Sequence, residues 1–119
     1  MKTQDIAEKL AAHCRQGKWE AAQKELYAEE AVSIEAEATP VFAKETRGLD
    51  AIIKKGRLFD SLVEKYHAII VSLPLVAGDS FVLALGLDMT MKGRGHVQSS
   101  ELCLYQVKDG KVVSEQFFK

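Results

Sequence analysis

Apolar side chains recur every three or four residues in three segments of the first half of the chain. The segments are residues 3–16, 19–27 and 48–69, and this spacing is typical of amphipathic helices. Gly17 lies between the first two segments and predicts a tight break there. We therefore predict three helices, of which the third is the longest and carries Tyr66 on its apolar stripe.

The second half of the chain changes to an alternation of apolar and polar residues. Residues 31–36 already alternate, which indicates a short first strand. Four further strands are predicted in the segments AIIVSLPLV, SFVLALGLDMTMKG, HVQSSELCLYQV and KVVSEQFFK. The Asp-Gly pair of KDGK predicts a tight turn between the last two. The sequence thus indicates one α+β domain, residues 1–119, with three helices packed on a strongly curved, mostly antiparallel sheet.

Composition narrows the classes of partner. Sixteen basic and seventeen acidic side chains give a formal charge of -1, so we expect binding to neither nucleic acid nor anionic membrane. No apolar run approaches the roughly 18 to 20 residues that cross a bilayer, and the N-terminus lacks the apolar segment of a secretory signal. Cys14 and Cys103 are far apart and lack metal-ligand spacing. Reduced thiols and a cytoplasmic location are the expectation.

Several short stretches resemble one known superfamily. They are RQGKWEAA, LYAEEAVSIE, GLDAI, PLVAGDSFVL and ELCLYQVKDGKVVSEQFF. In order and content they resemble the nuclear-transport-factor-two-like superfamily, and within it the SnoaL-like proteins. The resemblance covers nearly the whole chain and implies a cone, in which a bent sheet wraps around the helices and leaves a mostly apolar cavity open at one end. Members include ketosteroid isomerase, polyketide cyclases, dehydratases and domains that only bind or dimerise, so the fold alone does not choose a reaction.

The resemblance gives Glu35 a chemical role. In the ketosteroid isomerase type, a carboxylate on the first strand abstracts a proton next to a carbonyl group, and Glu35 stands at the matching position. The two positions that would stabilise the oxyanion are Leu10, which has no donor, and Cys103, which is a weak one. These departures argue against ketosteroid isomerase activity itself. Glu29 and Glu30, close by, are interpreted as the end of the second helix.

The stretch SSELCLYQV offers partners for Glu35. Alternation places Glu101, Cys103 and Tyr105 on one face of the strand and the two leucines on the other. If the polar set faces the cone, Glu101 and Tyr105 join Glu35 as catalytic candidates, since carboxyl groups in an apolar setting have separated pKa values. If the leucines face the helices, Glu101 points outward. The sequence leaves both arrangements open.

Further candidates are aromatic, sulfur and imidazole side chains that could line a ligand cavity. These ligand-binding candidates are His13, Trp19, Tyr66, Cys103 and Phe117. His13 on an apolar helix face is also typical of a core histidine, and Trp19 is also typical of core packing. The histidines lack metal-ligand spacing, and neither a nucleotide nor a phosphate signature is present, so we expect no metal and no cofactor.

Two functions remain open at this point. One is cofactor-independent acid-base chemistry, an isomerisation, cyclisation or dehydration, on an apolar or amphipathic small molecule. The other is a ligand-binding or dimerisation module without catalysis. One face of SFVLALGLDMTM is entirely apolar and predicts core, a subunit interface or the wall of a ligand site. A homodimer that pairs through the sheet is expected in both cases.

Overall fold

The computed structural model describes all residues, 1–119. Its helices and strands, in chain order, are α1 (Thr3–Arg15), α2 (Trp19–Leu26), β1 (Tyr27–Ile34), β2 (Glu45–Arg47), α3 (Leu49–Leu62), β3 (Val63–Val71), β4 (Leu75–Ala77), β5 (Ser80–Met91), β6 (Gly95–Lys108) and β7 (Lys111–Phe118). The predicted α+β class is confirmed. No helix has the length and apolar character that crossing a membrane requires.

All seven strands form one mixed sheet. The order across the sheet is β2-β1-β7-β6-β5-β3, and the short β4 pairs with the start of β5. β1 runs parallel to β7, whereas the other pairs are antiparallel. The long β5–β6–β7 meander thus brings the C-terminal strand back beside the first strand of the chain.

The main core lies between the helices and the inner face of the sheet. The buried residues of α1 share one face at helical spacing and are Ile6, Ala7, Leu10, Ala11 and Cys14. They join Phe81 and Leu83 of β5 in a single cluster of sixteen buried residues. The apolar face of β5 is therefore core, the first of the three alternatives that its sequence left open.

The third helix is shorter than predicted. It ends at Leu62, and the chain continues directly into β3, so Tyr66 and His67 lie on a strand rather than on a helix. Pairing with β5 over seven register positions satisfies the backbone of this segment. The apolar spacing of residues 63–69 fits either period, and this tertiary pairing decides it.

The first strand is longer than predicted and starts earlier. It begins at Tyr27, so Glu29 and Glu30 are exposed strand residues and not the end of a helix. It ends at Ile34, which leaves Glu35 one residue beyond the strand. Its edge partner β2, three residues long, was not predicted.

The predicted turn at KDGK is confirmed. Asp109 and Gly110 have φ values of 52° and 75°, the left-handed pair that a two-residue hairpin connection requires. The turn joins β6 and β7 in antiparallel register from Lys108 and Lys111 inward.

Candidate functional site

The inner face of the sheet carries polar side chains in register. Ser33 of β1 lies opposite Glu115 of β7, and Glu115 in turn lies opposite Tyr105 of β6. In the next row, Phe117 of β7 lies opposite Cys103 of β6. The strand pairing alone therefore brings a hydroxyl, a carboxyl group and a phenol together in the interior.

The penultimate strand turns its polar set inward. Cys103 and Tyr105 are 1% and 4% exposed, whereas Leu102 is 50% exposed. Glu101 shares the inner face with Cys103 because alternate strand residues point the same way, and Leu104 shares the outer face with Leu102. This is the arrangement that places Glu101 on the side of Glu35.

Glu115 is the most deeply buried acidic residue of this group. Glu115 is 4% exposed. Its carboxyl group accepts hydrogen bonds from the Tyr27 hydroxyl and, at 2.6 Å, from Ser33 Oγ. Burial raises the pKa of the Glu115 carboxyl, and the hydrogen bonds from Ser33 and Tyr27 oppose that rise. Both oxygens are thus satisfied, as a buried carboxyl group requires.

Lys55 of α3 connects this buried carboxyl group to Glu35. Its Nζ donates to Ser33 Oγ and, at 2.8 Å, to Oε2 of Glu35. The side chains of Lys55 and Glu35 are 14% and 25% exposed, so their ion pair lies largely out of solvent. The ammonium group also stands 5.5 Å from the centre of the Phe117 ring, within the range of a cation–π contact.

Glu101 is the carboxyl group of the site without a hydrogen-bond partner. Burial raises its pKa to about 7, and the charges of Glu35 and Glu115 add to the rise, while Lys119 and Lys55 oppose it. Near neutral pH, the carboxyl group of Glu101 is therefore poised to give or accept a proton.

Tyr105, predicted as a catalytic residue, and Cys103, predicted as a ligand contact, both lie deep in the core. The Tyr105 ring stacks on Phe81 with centroids 4.8 Å apart and interplanar angle 20°. Burial raises the pKa values of both Tyr105 and Cys103. Cys14, which is also free, lies in the same core, and burial raises its thiol pKa to about 12. These thiol and phenol groups stay neutral and lie below the polar cluster, which consists of Tyr27, Ser33, Glu35, Lys55, Glu101 and Glu115.

Three ligand-binding candidates lie apart from this cluster. The half-buried His13 has Nε2 2.8 Å from Glu25 Oε1, at the α1–α2 contact. Trp19 and Tyr66 pack edge to face with centroids 6.4 Å apart, and Tyr66 donates to Asp60. No hydrogen bond or aromatic contact joins the three to Glu35 or Glu101.

Sequence reasoning missed Glu115, Ser33 and Lys55. Val112 and Glu115 are both buried although they lie three positions apart, because a register irregularity interrupts the alternation of β7. Lys55 follows the buried Ile52 by three residues and therefore shares its helix face. That spacing is the one signal in the sequence that could have identified Lys55 as an inward-facing cation.

Two shallow surface depressions lie elsewhere. One of about 450 Å³ is formed by the N-terminus and the β6–β7 turn, and another of about 370 Å³ flanks α1. Neither is lined by a residue of the polar cluster. No group of three or more His, Cys, Asp or Glu side chains is arranged to hold a metal ion.

Comparisons with known proteins identify the fold and the family. A protein from Mesorhizobium loti, named as a candidate SnoaL-like polyketide cyclase and, in brackets, a carbohydrate phosphatase, is 30% identical with a TM-score of 0.91, and both chains are covered completely. A ketosteroid isomerase-like protein from Catenulispora acidiphila, solved with trimethylamine, is 17% identical with a TM-score of 0.75 over 96% of this chain and 84% of that one.

A third similar structure is IdmH from Streptomyces antibioticus, named as a candidate polyketide cyclase. It is 15% identical with a TM-score of 0.74 over 99% of this chain and 91% of that one. These likenesses confirm the nuclear-transport-factor-two-like fold that the sequence predicted. A search of curated proteins found no match. The SnoaL-like domain model matches residues 1–119, and the chain belongs to the SnoaL-like domain family.

Proposed function

We propose that this protein binds an apolar or amphipathic small molecule and carries out cofactor-independent acid-base chemistry on it, of the isomerase, cyclase or dehydratase type. One observation carries the proposal. Glu35, ion-paired with Lys55 and with a side chain 25% exposed, lies close enough to Glu101 for its charge to help raise the pKa of Glu101 to about 7. Two carboxyl groups in different environments can act as base and acid in one reaction.

The roles follow from the contacts. Glu35 takes a proton from a carbon next to a carbonyl group, and the substrate becomes an enolate as the carboxylate becomes neutral. Lys55 then loses the charge of its ion-pair partner, so its ammonium group is free to stabilise the enolate oxygen. Glu101 in its protonated form returns a proton to the new position. The proton held by Glu35 then passes to the Glu101 carboxylate, and both groups regain their starting states. Lys55 thereby supplies the positive charge that Leu10 and Cys103 do not.

The second candidate function is ligand binding without chemistry. It is favoured by the depth of Tyr105, which is packed in the core and is too buried to touch a ligand. Titration of the ¹⁵N-labelled protein with 2-tetralone, an apolar enolisable ketone, tests binding for both functions. Shifts at residues 33–35, 55 and 101–103 are expected. Tetralin, which lacks the carbonyl group, is the matched probe, and equal shifts with both compounds indicate binding through apolar contact alone.

We also propose that two copies pair through the outer face of the sheet. Leu102 and Phe118 are register partners on that face and are 50% and 45% exposed. Ile70 and Leu75, at 70% and 72%, extend the apolar surface across neighbouring strands. Contiguous exposed apolar surface of this kind is typical of a subunit interface.

A further inference from the structure

A buried hydroxyl joins the Lys55 ammonium group to the Glu115 carboxyl group. Lys55 Nζ donates to Ser33 Oγ, and Ser33 Oγ donates to Oε2 of Glu115 at 2.6 Å. Ser33 and Glu115 are 0% and 4% exposed. Neither residue can reach a ligand from that depth, and the proton transfer proposed above uses neither of them.

The direction of these hydrogen bonds is fixed by the ammonium group. Lysine has donors and no acceptor, so Ser33 Oγ must accept from Lys55. The single proton of the Ser33 hydroxyl then points to Glu115, and Oε2 must be an acceptor. Any proton on the Glu115 carboxyl group is confined to Oε1, where Tyr27 is the partner.

The flexible side chain of Lys55 needs a second hydrogen-bond partner to hold its ammonium group in one position. Its side chain has four rotatable bonds and loses much rotamer freedom when it is held in one place. Glu35 alone offers one contact, from a residue beyond the end of β1. Ser33 lies within β1, and its hydroxyl is backed by the carboxyl group of β7, so the second contact comes from the rigid centre of the sheet.

We propose that Glu115 and Ser33 are positioning residues, which hold the Lys55 ammonium group against Glu35 through an acceptor oxygen on Glu115 and the hydroxyl of Ser33. This inference deepens the proposed function and rests on it for its catalytic meaning. The hydrogen bonds that hold Lys55 in place form in the protein without a ligand. The network matters because it sets where the positive charge lies when an enolate forms.

Four variants test the inference in the ligand-free protein. Ser33→Ala removes the hydroxyl, and Ser33→Thr keeps it. Glu115→Met removes the acceptor at similar size, whereas Glu115→Gln keeps one acceptor oxygen, which can face Ser33 while the amide group donates to the Tyr27 oxygen. The measurement is the exchange rate of the Lys55 ammonium protons in ¹⁵N-detected spectra. Backbone spectra of each variant establish that it is folded.

At each of the two positions, Ser33 and Glu115, the hydrogen-bond chain predicts different Lys55 exchange rates for the two variants. Exchange at Lys55 should accelerate roughly tenfold in Ser33→Ala and Glu115→Met, the factor that corresponds to one lost hydrogen bond of a charged group. It should stay near the wild-type rate in Ser33→Thr and Glu115→Gln. Unchanged exchange in Ser33→Ala and Glu115→Met overturns the inference.

Equal acceleration in Glu115→Gln and Glu115→Met also overturns it, since the charge of Glu115 rather than its acceptor oxygen would then hold Lys55. Both outcomes are independent of any substrate. Failure of the positioning role is therefore distinguishable from failure of the proposed function, which is tested with a ligand.

Discussion

Ser33 and Glu115 face each other across the parallel pair of β1 and β7, and the Ser33 hydroxyl donates to the Glu115 carboxyl group at 2.6 Å. The contact ties the first strand to the last one inside the core. It also links the deepest carboxyl group to the Lys55–Glu35 ion pair. The stability of the fold and the arrangement of the site consequently depend on the same few side chains.

Tyr27→Phe should destabilise the protein by about 2 kcal/mol, because a buried carboxyl group loses one of its two donors. Tyr66→Phe is the matched control, since the Tyr66 hydroxyl donates to Asp60 in an exposed setting, and its loss should be smaller. Urea unfolding of both variants measures the difference. Equal losses of unfolding free energy would show that the buried Tyr27–Glu115 hydrogen bond stabilises the protein no more than the exposed Tyr66–Asp60 one.

Glu101 should make the protein less stable as pH rises through the neutral range. Its pKa is about 7 in the folded chain against 4.5 for an ordinary glutamate, so between these values the folded chain holds a proton that the unfolded chain has lost. The favourable contribution is complete below pH 4.5 and is lost as pH rises through about 7.

The measurement is the free energy of unfolding in urea at a series of pH values, for wild type and Glu101→Gln. The decline between pH 4.5 and 7 should be shallower in the variant. Parallel curves for the two proteins would contradict the raised pKa.

Lys55→Met should cost about 3 kcal/mol of stability, because it leaves Glu35 largely buried without its counter-charge. Arg57→Met is the matched control on the same helix, since Arg57 pairs with Glu20 at the surface, where water screens the interaction. Thermal and urea unfolding should show a clear loss for the first variant and little change for the second. Similar effects would mean that the Lys55–Glu35 pair behaves as a surface pair.

Leu102→Glu should convert a dimer into a monomer, because it introduces a charge into the apolar outer face of the sheet. Val41→Glu, a change at a residue 54% exposed in the loop between β1 and β2, should leave the dimer intact. Light scattering at micromolar concentration gives the masses. A monomeric wild-type protein would contradict the proposed pairing.

Much of the fold could be predicted from the sequence, because local rules decide it. The apolar spacing of α1, the alternation of β5 and β6 and the Asp109–Gly110 turn each depend on neighbours in the chain. The boundary at Leu62 could not be predicted, because residues 63–69 fit both a helix and a strand until β5 pairs with them. Local patterns do not contain that information.

The site was predictable only in part for a similar reason. Alternation correctly grouped Glu101, Cys103 and Tyr105 on one face. It could not place Glu115, because an irregularity in β7 reverses which residues face inward. Lys55 lies outside the apolar stripe that the sequence shows for its helix, and only the tertiary fold brings it to Glu35, beyond the end of β1, and to the buried Ser33 hydroxyl.

The measurement that tests the central claim most directly is deuterium incorporation from D₂O into 2-tetralone, at the carbon next to the carbonyl group, followed by NMR. The account predicts that the protein accelerates this exchange and that Glu35→Gln lowers the rate by about a hundredfold or more, the typical contribution of a general base. Tyr66→Phe, outside the polar cluster, should leave the rate unchanged. Equal exchange rates with the wild-type protein and with Glu35→Gln would contradict the claim that Glu35 is the working base.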